Sequence, residues 1–341
     1  MKELLKELCA MNGVPGYEDE VRACIERHVR PHADEIITDP LGNLLVFKKG
    51  EKPRKDPMMV CAHMDEGGFL ISRITEDGMF KLAPAGGIDP RVLVGRRMEV
   101  GPKKVKGVIS LKAIHLTTPE ERKQAPGLDT LYIDIGAASR KEAEQVARVG
   151  DYATFDSGFL EFGDQRVKSK AIDDRIGCAV MIKLIEEGVP LDTWFAFVVG
   201  EEIGSRGAKA AAGRIKPKWG LIIEGTTAGD MPGIAEHERS CYQGGGAVVS
   251  LADRTSVYNR DFIRRLTKSA TGQGIRWQYR CSMNGSTDAG AMHVAGTGAK
   301  VFGLAAPVRY IHSASNVLYW PDAEEVLKMA RLVVKEAELD D

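Results

Sequence analysis

The sequence predicts an α/β domain interrupted by a β-rich insert, and three observations carry that expectation. From about residue 167 onward, amphipathic helical segments alternate with short apolar runs, as in an α/β layer fold. Residues 68–162 instead show short β-like runs punctuated by glycine and proline, the spacing of a small barrel or sandwich. The length of 341 residues suits two domains, or one carrying a large insertion. The expected division is residues 1–67 with 163–341 for the α/β unit and 68–162 for the insert.

The elements follow in order. Leu4, Leu5 and Leu8 recur at helical spacing among charges, which makes the first segment an amphipathic helix and not the apolar block of a signal peptide. Residues 17–30 align Val21, Cys24, Ile25 and Val29 on one helical face. Gly42-Asn43 opens a strand at 44–47. Asp56-Pro57 then breaks the chain before 58–62, a continuous apolar run of the buried-strand type. Within the insert, strands are expected at 69–74, 97–100, 105–109, 130–135 and 152–155, with a polar loop at 117–124 and a helix at 140–149. Beyond it, helices are expected at 174–187, 205–214, 258–270, 287–295 and from about 323. Strands are expected at 194–199, 221–223, 276–280 and 300–304.

Composition excludes several classes. Lys and Arg total 47 against 48 Asp and Glu, a net charge of −1. That balance argues against nucleic acid as a partner, since phosphate binding needs a basic excess. No run approaches the roughly 18 apolar residues of a membrane span. The cysteines at 9, 24, 61, 178, 241 and 281 are far apart and form no C-x-x-C pair, so neither a disulfide framework nor a zinc knuckle is expected and the compartment is read as the reducing cytoplasm. Glycine is abundant at 37 residues, about 11% against a usual ~7%, which points to tight turns and close backbone approaches.

Five polar clusters fall where an α/β protein places the carboxyl ends of its strands: His63-Met64-Asp65, Asp173-Asp174, Glu201-Glu202, Glu224 and His312. Singly, each has a plain explanation. A histidine after a strand is usually a satisfied hydrogen-bonding residue, Asp173-Asp174 could cap the helix that follows, and Glu201-Glu202 could be a solvated turn. Together, two histidines and several carboxylates are the ligand types that hold divalent metals. They fit a two-metal hydrolase, in which a shared carboxylate bridges the cations and a further carboxylate takes a proton from water. Successive side chains diverge, so one of Glu201 and Glu202 can bind metal while its neighbour acts as base. Asp65 can accept the ring N–H of His63 and set its tautomer.

These residues also carry a resemblance. The strings Ala62-His63-Met64-Asp65-Glu66, Ala171-Ile172-Asp173-Asp174-Arg175 and Glu201-Glu202-Ile203-Gly204-Ser205-Arg206-Gly207-Ala208 are similar to motifs of the M42 family of metalloaminopeptidases. So are Thr38-Asp39-Pro40-Leu41-Gly42-Asn43, Tyr310-Ile311-His312-Ser313 and, in the insert, Gly86-Gly87-Ile88-Asp89-Pro90-Arg91 and Tyr132-Ile133-Asp134-Ile135-Gly136. The resemblance spans nearly the whole chain. It implies an α/β/α sandwich of the dinuclear zinc exopeptidase type with an inserted β-barrel-like dimerisation domain. It further implies two divalent ions per subunit (zinc first, with cobalt or manganese as alternatives), bound by His63, Asp173, Glu202, Glu224 and His312. Asp173 would bridge, a metal-bridging water would be the nucleophile, and Glu201 would be the general base, with Asp65 supporting it. Glu224 departs from the pattern, because the family usually has Asp there; Asp230 is the other carboxylate nearby. Partners implied are short peptides and further copies of the chain, a dimer building block or a tetrahedral dodecamer.

The expected function is therefore removal of N-terminal residues from peptides, with deacylation of N-acyl amino acids or sugars on the same site as the alternative and a non-catalytic assembly protein with a vestigial site as a third reading. Other catalytic templates are absent: no H-E-x-x-H, no G-x-x-x-x-G-K-[ST] and no G-x-S-x-G occurs. Gly285-Ser286-Thr287-Asp288 reads first as an N-cap with an acidic first turn and second as a wall of the substrate pocket. His28, His32, His115, His237 and His293 lack a matching carboxylate pattern and are read as structural or surface residues.

Overall fold

A computed structural model describes residues 1–337. Two amphipathic helices open the chain, α1 (Lys2–Ala10) and α2 (Asp19–Val29), and they bury the apolar faces expected of them. Strands β1 (Glu35–Thr38), β2 (Leu44–Lys48) and β3 (Met58–His63) follow. Every residue of β3 is buried, which explains why its sequence is uniformly apolar up to His63.

The chain then leaves the sheet and closes a barrel from β4 (Gly68–Ile74), β5 (Phe80–Ala85), β6 (Arg97–Val100), β7 (Val105–Ser110), β8 (Tyr132–Asp134) and β9 (Tyr152–Phe155), in the order β4-β5-β8-β7-β6-β9. Phe69, Phe80 and Phe155 fill a core separate from that of the sheet. Closure leaves no edge strand to be paired. The helix expected over 140–149 is only one turn, α3 (Arg140–Ala143), and the polar loop is made of short 3₁₀ turns.

The chain returns through β10 (Leu160–Phe162), which pairs with β11 (Arg166–Ser169) in the main sheet. The remaining elements are α4 (Ile172–Glu187), β12 (Thr193–Val198), α5 (Arg206–Ile215), β13 (Trp219–Thr227), β14 (Ala247–Ser250), α6 (Arg260–Gly272), β15 (Trp277–Arg280), α7 (Asp288–His293), β16 (Lys300–Arg309), β17 (Asn316–Tyr319) and α8 (Trp320–Glu336). The eleven strands order as β1-β2-β12-β3-β13-β16-β17-β11-β10, with β14 beside β16 and β15 beside β14. At its centre β12, β3, β13 and β16 run parallel. Helices α4 and α8 pack on one face, joined by α1, α2 and α6, while α5 and α7 cover the other. This is the expected α/β/α sandwich with an inserted barrel.

Several strands are longer than their apolar runs. β13 continues past Ile223 to Thr227 and β16 past Leu304 to Arg309, because the two pair in register over nine residues, from Trp219↔Lys300 to Thr227↔Val308. That extension carries Glu224 on a strand and not on a loop. No helix among the described residues is long and apolar enough to cross a membrane. All six cysteines are free, and only Cys281 is exposed.

Candidate metal centre

The proposed ligands converge at the carboxyl ends of the parallel strands, on segments whose local folding explains each placement. His63 ends β3. Its ring Nδ1 lies 3.0 Å from the Asp65 carbonyl oxygen and 3.5 Å from Asp65 Oδ1, which leaves Nε2 facing the site. Asp65 therefore orients the ring as expected, mainly through its backbone. Its carboxylate has a second task that the sequence did not suggest: Oδ1 accepts the Glu201 N–H and Oδ2 the Glu202 N–H, both at 3.0 Å. Burial alone would raise the Asp65 pKa, but the bonds to His63 and to these two amides outweigh it and hold the carboxyl below its usual range.

Asp173 and Asp174 divide the two roles that were open for the pair. Asp174 caps the regular part of α4, accepting the Gly177 N–H at 3.0 Å, and also accepts the His63 N–H at 3.2 Å. Asp173 is thereby left for the site. Its Oδ1 is 3.7 Å from His63 Nε2 and accepts the Gly225 N–H at 3.2 Å, while its Oδ2 is 3.8 Å from His312 Nε2. One carboxylate thus stands between the two imidazoles.

Glu201 and Glu202 sit in the turn between β12 and α5. Glu202 Oε1 lies 3.5 Å from His312 Nε2. Burial raises its pKa, and the neighbouring Asp173 and Asp65 charges add to that against the pull of His312 and His63. Burial pushes Glu201 up to about 9, with Asp288, Glu202 and Asp65 contributing and His63 opposing. His312 lies in the loop between β16 and β17 with a left-handed φ of 56°. Its Nδ1 donates to the Gly87 carbonyl at 2.7 Å, so the loop before β6 orients a ligand on the sheet side.

Glu224 lines the same cavity as His63, Asp173, Glu201, Glu202 and His312. Its Oε1 accepts the Asp288 N–H at 3.1 Å, at the start of α7. The extra methylene relative to Asp is taken up by that bond. Burial raises the Glu224 pKa well above the usual carboxylate value, reinforced by the Glu201 and Asp288 charges. Asp230 is committed elsewhere, to the Arg309 guanidinium at 2.7 and 2.8 Å. Of the histidines set aside, His28 pairs with Glu7, His293 faces the Ala299 carbonyl, and none of the five lines the cavity.

Sequence reasoning did not single out Asn316, named Gly87 only within the string from Gly86 to Arg91, and read the turn at 285–288 first as an N-cap and second as a pocket wall; Gly285, Ser286 and Thr287 do line the cavity. Asn316 Oδ1 faces the Asp173 N–H at 3.5 Å, and its amide nitrogen donates to the Tyr310 and Ser313 carbonyls, tying the bridging position to the His312 loop. Asp288 is fully buried, and burial raises its pKa to about 7. None of these carries a local signal, since each acts through a partner distant in sequence.

The donor set fits a pair of divalent cations: two imidazole nitrogens whose other ring nitrogens are held by carbonyls, a carboxylate between them and further carboxylates lining one cavity. The walls are shaped around those carboxylates. A Cβ on Gly86 would fall 2.8 Å from Glu202 Oε2, and one on Gly225 would fall 2.9 Å from Asp173 Oδ1. Gly86 also has φ +108°, where a side chain is strained. Gly86→Ala is therefore expected to lower catalytic efficiency about 10-fold or more, since small misplacements of a reacting group are costly. Parental kinetics in that variant would refute the role of this loop in placing Glu202.

The chain is similar to known proteins over nearly its whole length. The family model for the M42 glutamyl aminopeptidase family matches residues 42–329. A putative aminopeptidase of Acetivibrio thermocellus is 35% identical over 331 residues, covering 96% of this chain and 97% of its own. An aminopeptidase from the archaeon Desulfurococcus kamchatkensis superposes with a TM-score of 0.93 at 33% identity, over 98% of this chain and 94% of that one. The TET1 peptidase of Pyrococcus horikoshii, described as assembling into a tetrahedron or a large octahedral shell, gives a TM-score of 0.85 at 32% identity, over 98% of this chain and 99% of that one.

Proposed function

Because the chain belongs to the M42 glutamyl aminopeptidase family and is an aminopeptidase, we propose that it removes N-terminal residues from short peptides with two divalent cations, zinc foremost. The ligands proposed are His63, Asp173, Glu202, Glu224 and His312, with Asp173 shared. The observation that carries this reading is the Asp173 carboxylate, one oxygen 3.7 Å from His63 Nε2 and the other 3.8 Å from His312 Nε2. When bound, such cations supply Lewis acidity at the scissile carbonyl and make water acidic enough to attack near neutral pH.

The remaining steps belong to the chain's own side chains. Glu201 accepts the proton of the attacking water and passes it to the leaving amine. Burial raises its pKa, which makes its carboxylate a stronger base. Asp65 is a positioning residue: by holding the amides of Glu201 and Glu202 and the ring of His63, it fixes base and ligands relative to each other. A free substrate amine held beside the metal centre favours exopeptidase action over cleavage within a chain.

The barrel is proposed as the dimerisation element of a homo-oligomer, in line with the assemblies described for TET1 of P. horikoshii. Its proposed compartment is the cytoplasm, on the strength of six unpaired cysteines. The test is a panel of aminoacyl anilides with free and N-acetylated termini, run on metal-stripped enzyme with zinc, cobalt or manganese restored. Free-amine substrates should be cleaved only after metal is restored, and acetylated ones hardly at all. Preferential turnover of the acetylated series would replace this reading with the deacylase alternative.

A further inference from the structure

One string of the sequence has no part in the chemistry above: Thr38-Asp39-Pro40-Leu41-Gly42-Asn43, which joins β1 to β2 and does not line the cavity. Asp39 organises it. Its Oδ1 accepts the N–H groups of Leu41, Gly42 and Asn43 at 2.9, 3.0 and 3.0 Å, and its Oδ2 accepts the Asn43 side-chain amide at 2.7 Å. Pro40 presets the turn, and the carboxylate supplies acceptors for amides that so short a connection leaves unpaired. An ionised carboxylate only accepts, so the bond to Oδ2 also fixes the Asn43 amide, with its NH₂ toward Asp39.

Strand register decides what that amide meets. β2 and β12 are antiparallel with Leu44 opposite Phe197, so Asn43 falls beside the end of β12. Its Oδ1 accepts the Val199 N–H at 2.9 Å, and its Nδ2 donates to the Gly207 carbonyl at 3.0 Å. Val199 and Gly207 bracket the connection from β12 to α5, which carries Glu201 and Glu202. One fully buried side chain thus closes the neck of that loop. A Cβ on Gly207 would fall 2.4 Å from both Asn43 Oδ1 and the Val199 carbonyl oxygen, so only glycine lets the three meet.

The rest of the loop is gripped in the same way. Glu18 Oε1 accepts the Gly200 N–H at 3.3 Å, and Asp65 takes the next two amides. Four successive N–H groups, of Val199, Gly200, Glu201 and Glu202, are therefore held by side chains from three other segments. Such a hold has an electrostatic reason. Glu201 and Glu202 repel each other and the Asp65, Asp173 and Asp288 charges around them. A loop free at its neck would swing these carboxylates apart.

We infer that Asn43 is a positioning residue for catalysis. By bridging the Val199 N–H and the Gly207 carbonyl, it fixes where the loop presents Glu201 and Glu202, and Asp39 fixes the amide that does so. This role rests on the aminopeptidase reading above and adds to it a residue outside the cavity.

The experiment compares the full chain with Asn43→Ala and with the double variant Asp39→Asn/Asn43→Asp. Each is measured at saturating metal for kcat and KM, on whichever aminoacyl p-nitroanilide the parent cleaves best, and for Tm, with kinetics run well below the lowest Tm. The double variant exchanges donor and acceptor between the two side chains. The 39–43 bond and the acceptor for the Val199 N–H survive, while the Gly207 carbonyl loses its donor. Asn43→Ala should lower kcat about 10–100-fold with KM little changed, the range seen when the support of a ligand or reacting group is lost. The double variant should regain most of the lost Tm but not the lost kcat. A residue that only shapes its own turn would regain both. Should Asn43→Ala not fold, the double variant decides by the same two readouts. Parental kcat in Asn43→Ala, or full recovery of kcat in the double variant, overturns the role and leaves the aminopeptidase reading standing. A metal-loaded parent that cleaves no aminoacyl anilide overturns both.

Discussion

Replacing Glu201 by Gln should lower kcat by about 10³-fold or more while two metal ions per subunit remain bound. General acid–base catalysis by one positioned side chain contributes typically 10²–10⁴-fold, and no neighbour is free to substitute. Glu202 and Asp173 face His312 and His63, and Asp65 is held by two backbone amides. The substitution is nearly isosteric. The Glu201 backbone N–H, which is what Asp65 holds, is unchanged, so the turn between β12 and α5 should keep its shape. Folding should not suffer either, since the variant removes one of several buried carboxylates crowded at one end of the cavity. The measurements are steady-state kinetics, metal content by elemental analysis and a melting temperature. A kcat within 10-fold of the parent would take the general-base role away from Glu201.

That prediction depends on telling Glu201 from Glu202, which marks the limit of what the chain's primary structure displays. The adjacency of two acids was visible, and so was the principle that their side chains diverge. Which one meets His312 depends on the turn after β12, and that turn is set by Asp65 from the end of β3, more than 130 residues earlier. The same division applies elsewhere. His63 and the buried strand before it were legible because a fully buried strand must be apolar and a polar residue at its end stands out. Asp173-Asp174 was legible as a pair, but the split into a helix cap and a site carboxylate arises only when His63 and Gly177 claim Asp174.

The fold shows the same pattern. Helices with one apolar face announced themselves, and so did the change of texture on entering the barrel. β1, β5, β14 and β17 did not, because short strands draw their stability from neighbours across the sheet. β16 was cut short at Leu304 by its small residues and Pro307, although pairing with β13 carries it on to Arg309. Glu224 lies between the two cases. As a departure from an expected Asp it raised the question of an extra methylene, and only the amide of Asp288 answers where that length goes.

Asp173→Asn should have the opposite signature to Glu201→Gln: it should remove metal. An anionic carboxylate placed between two cations offsets their mutual repulsion and offers an oxygen to each. An amide is neutral and has a single oxygen, so one of the two positions facing His63 and His312 would present N–H donors to a cation. The geometry leaves little room for repair. Asp173 Oδ1 is already tied to the Gly225 N–H at 3.2 Å, and Asn keeps that bond by directing its oxygen there, which turns its NH₂ toward His312. Glu202 remains 3.5 Å from His312, so the variant retains part of one site but loses the link between the two. Loss of outer-sphere support alone commonly costs 10–100-fold in metal affinity or activity, and removing a bridging ligand should cost more, about 10³-fold in kcat/KM. Metal content should fall from about two ions per subunit to one or fewer after dialysis, and excess zinc should restore little activity. Two tightly held ions in Asp173→Asn would show that Asp173 is not the bridge. The pair of variants then separates holding the metal from moving the proton: Glu201→Gln should keep its ions and lose turnover, whereas Asp173→Asn should lose turnover because it loses its ions.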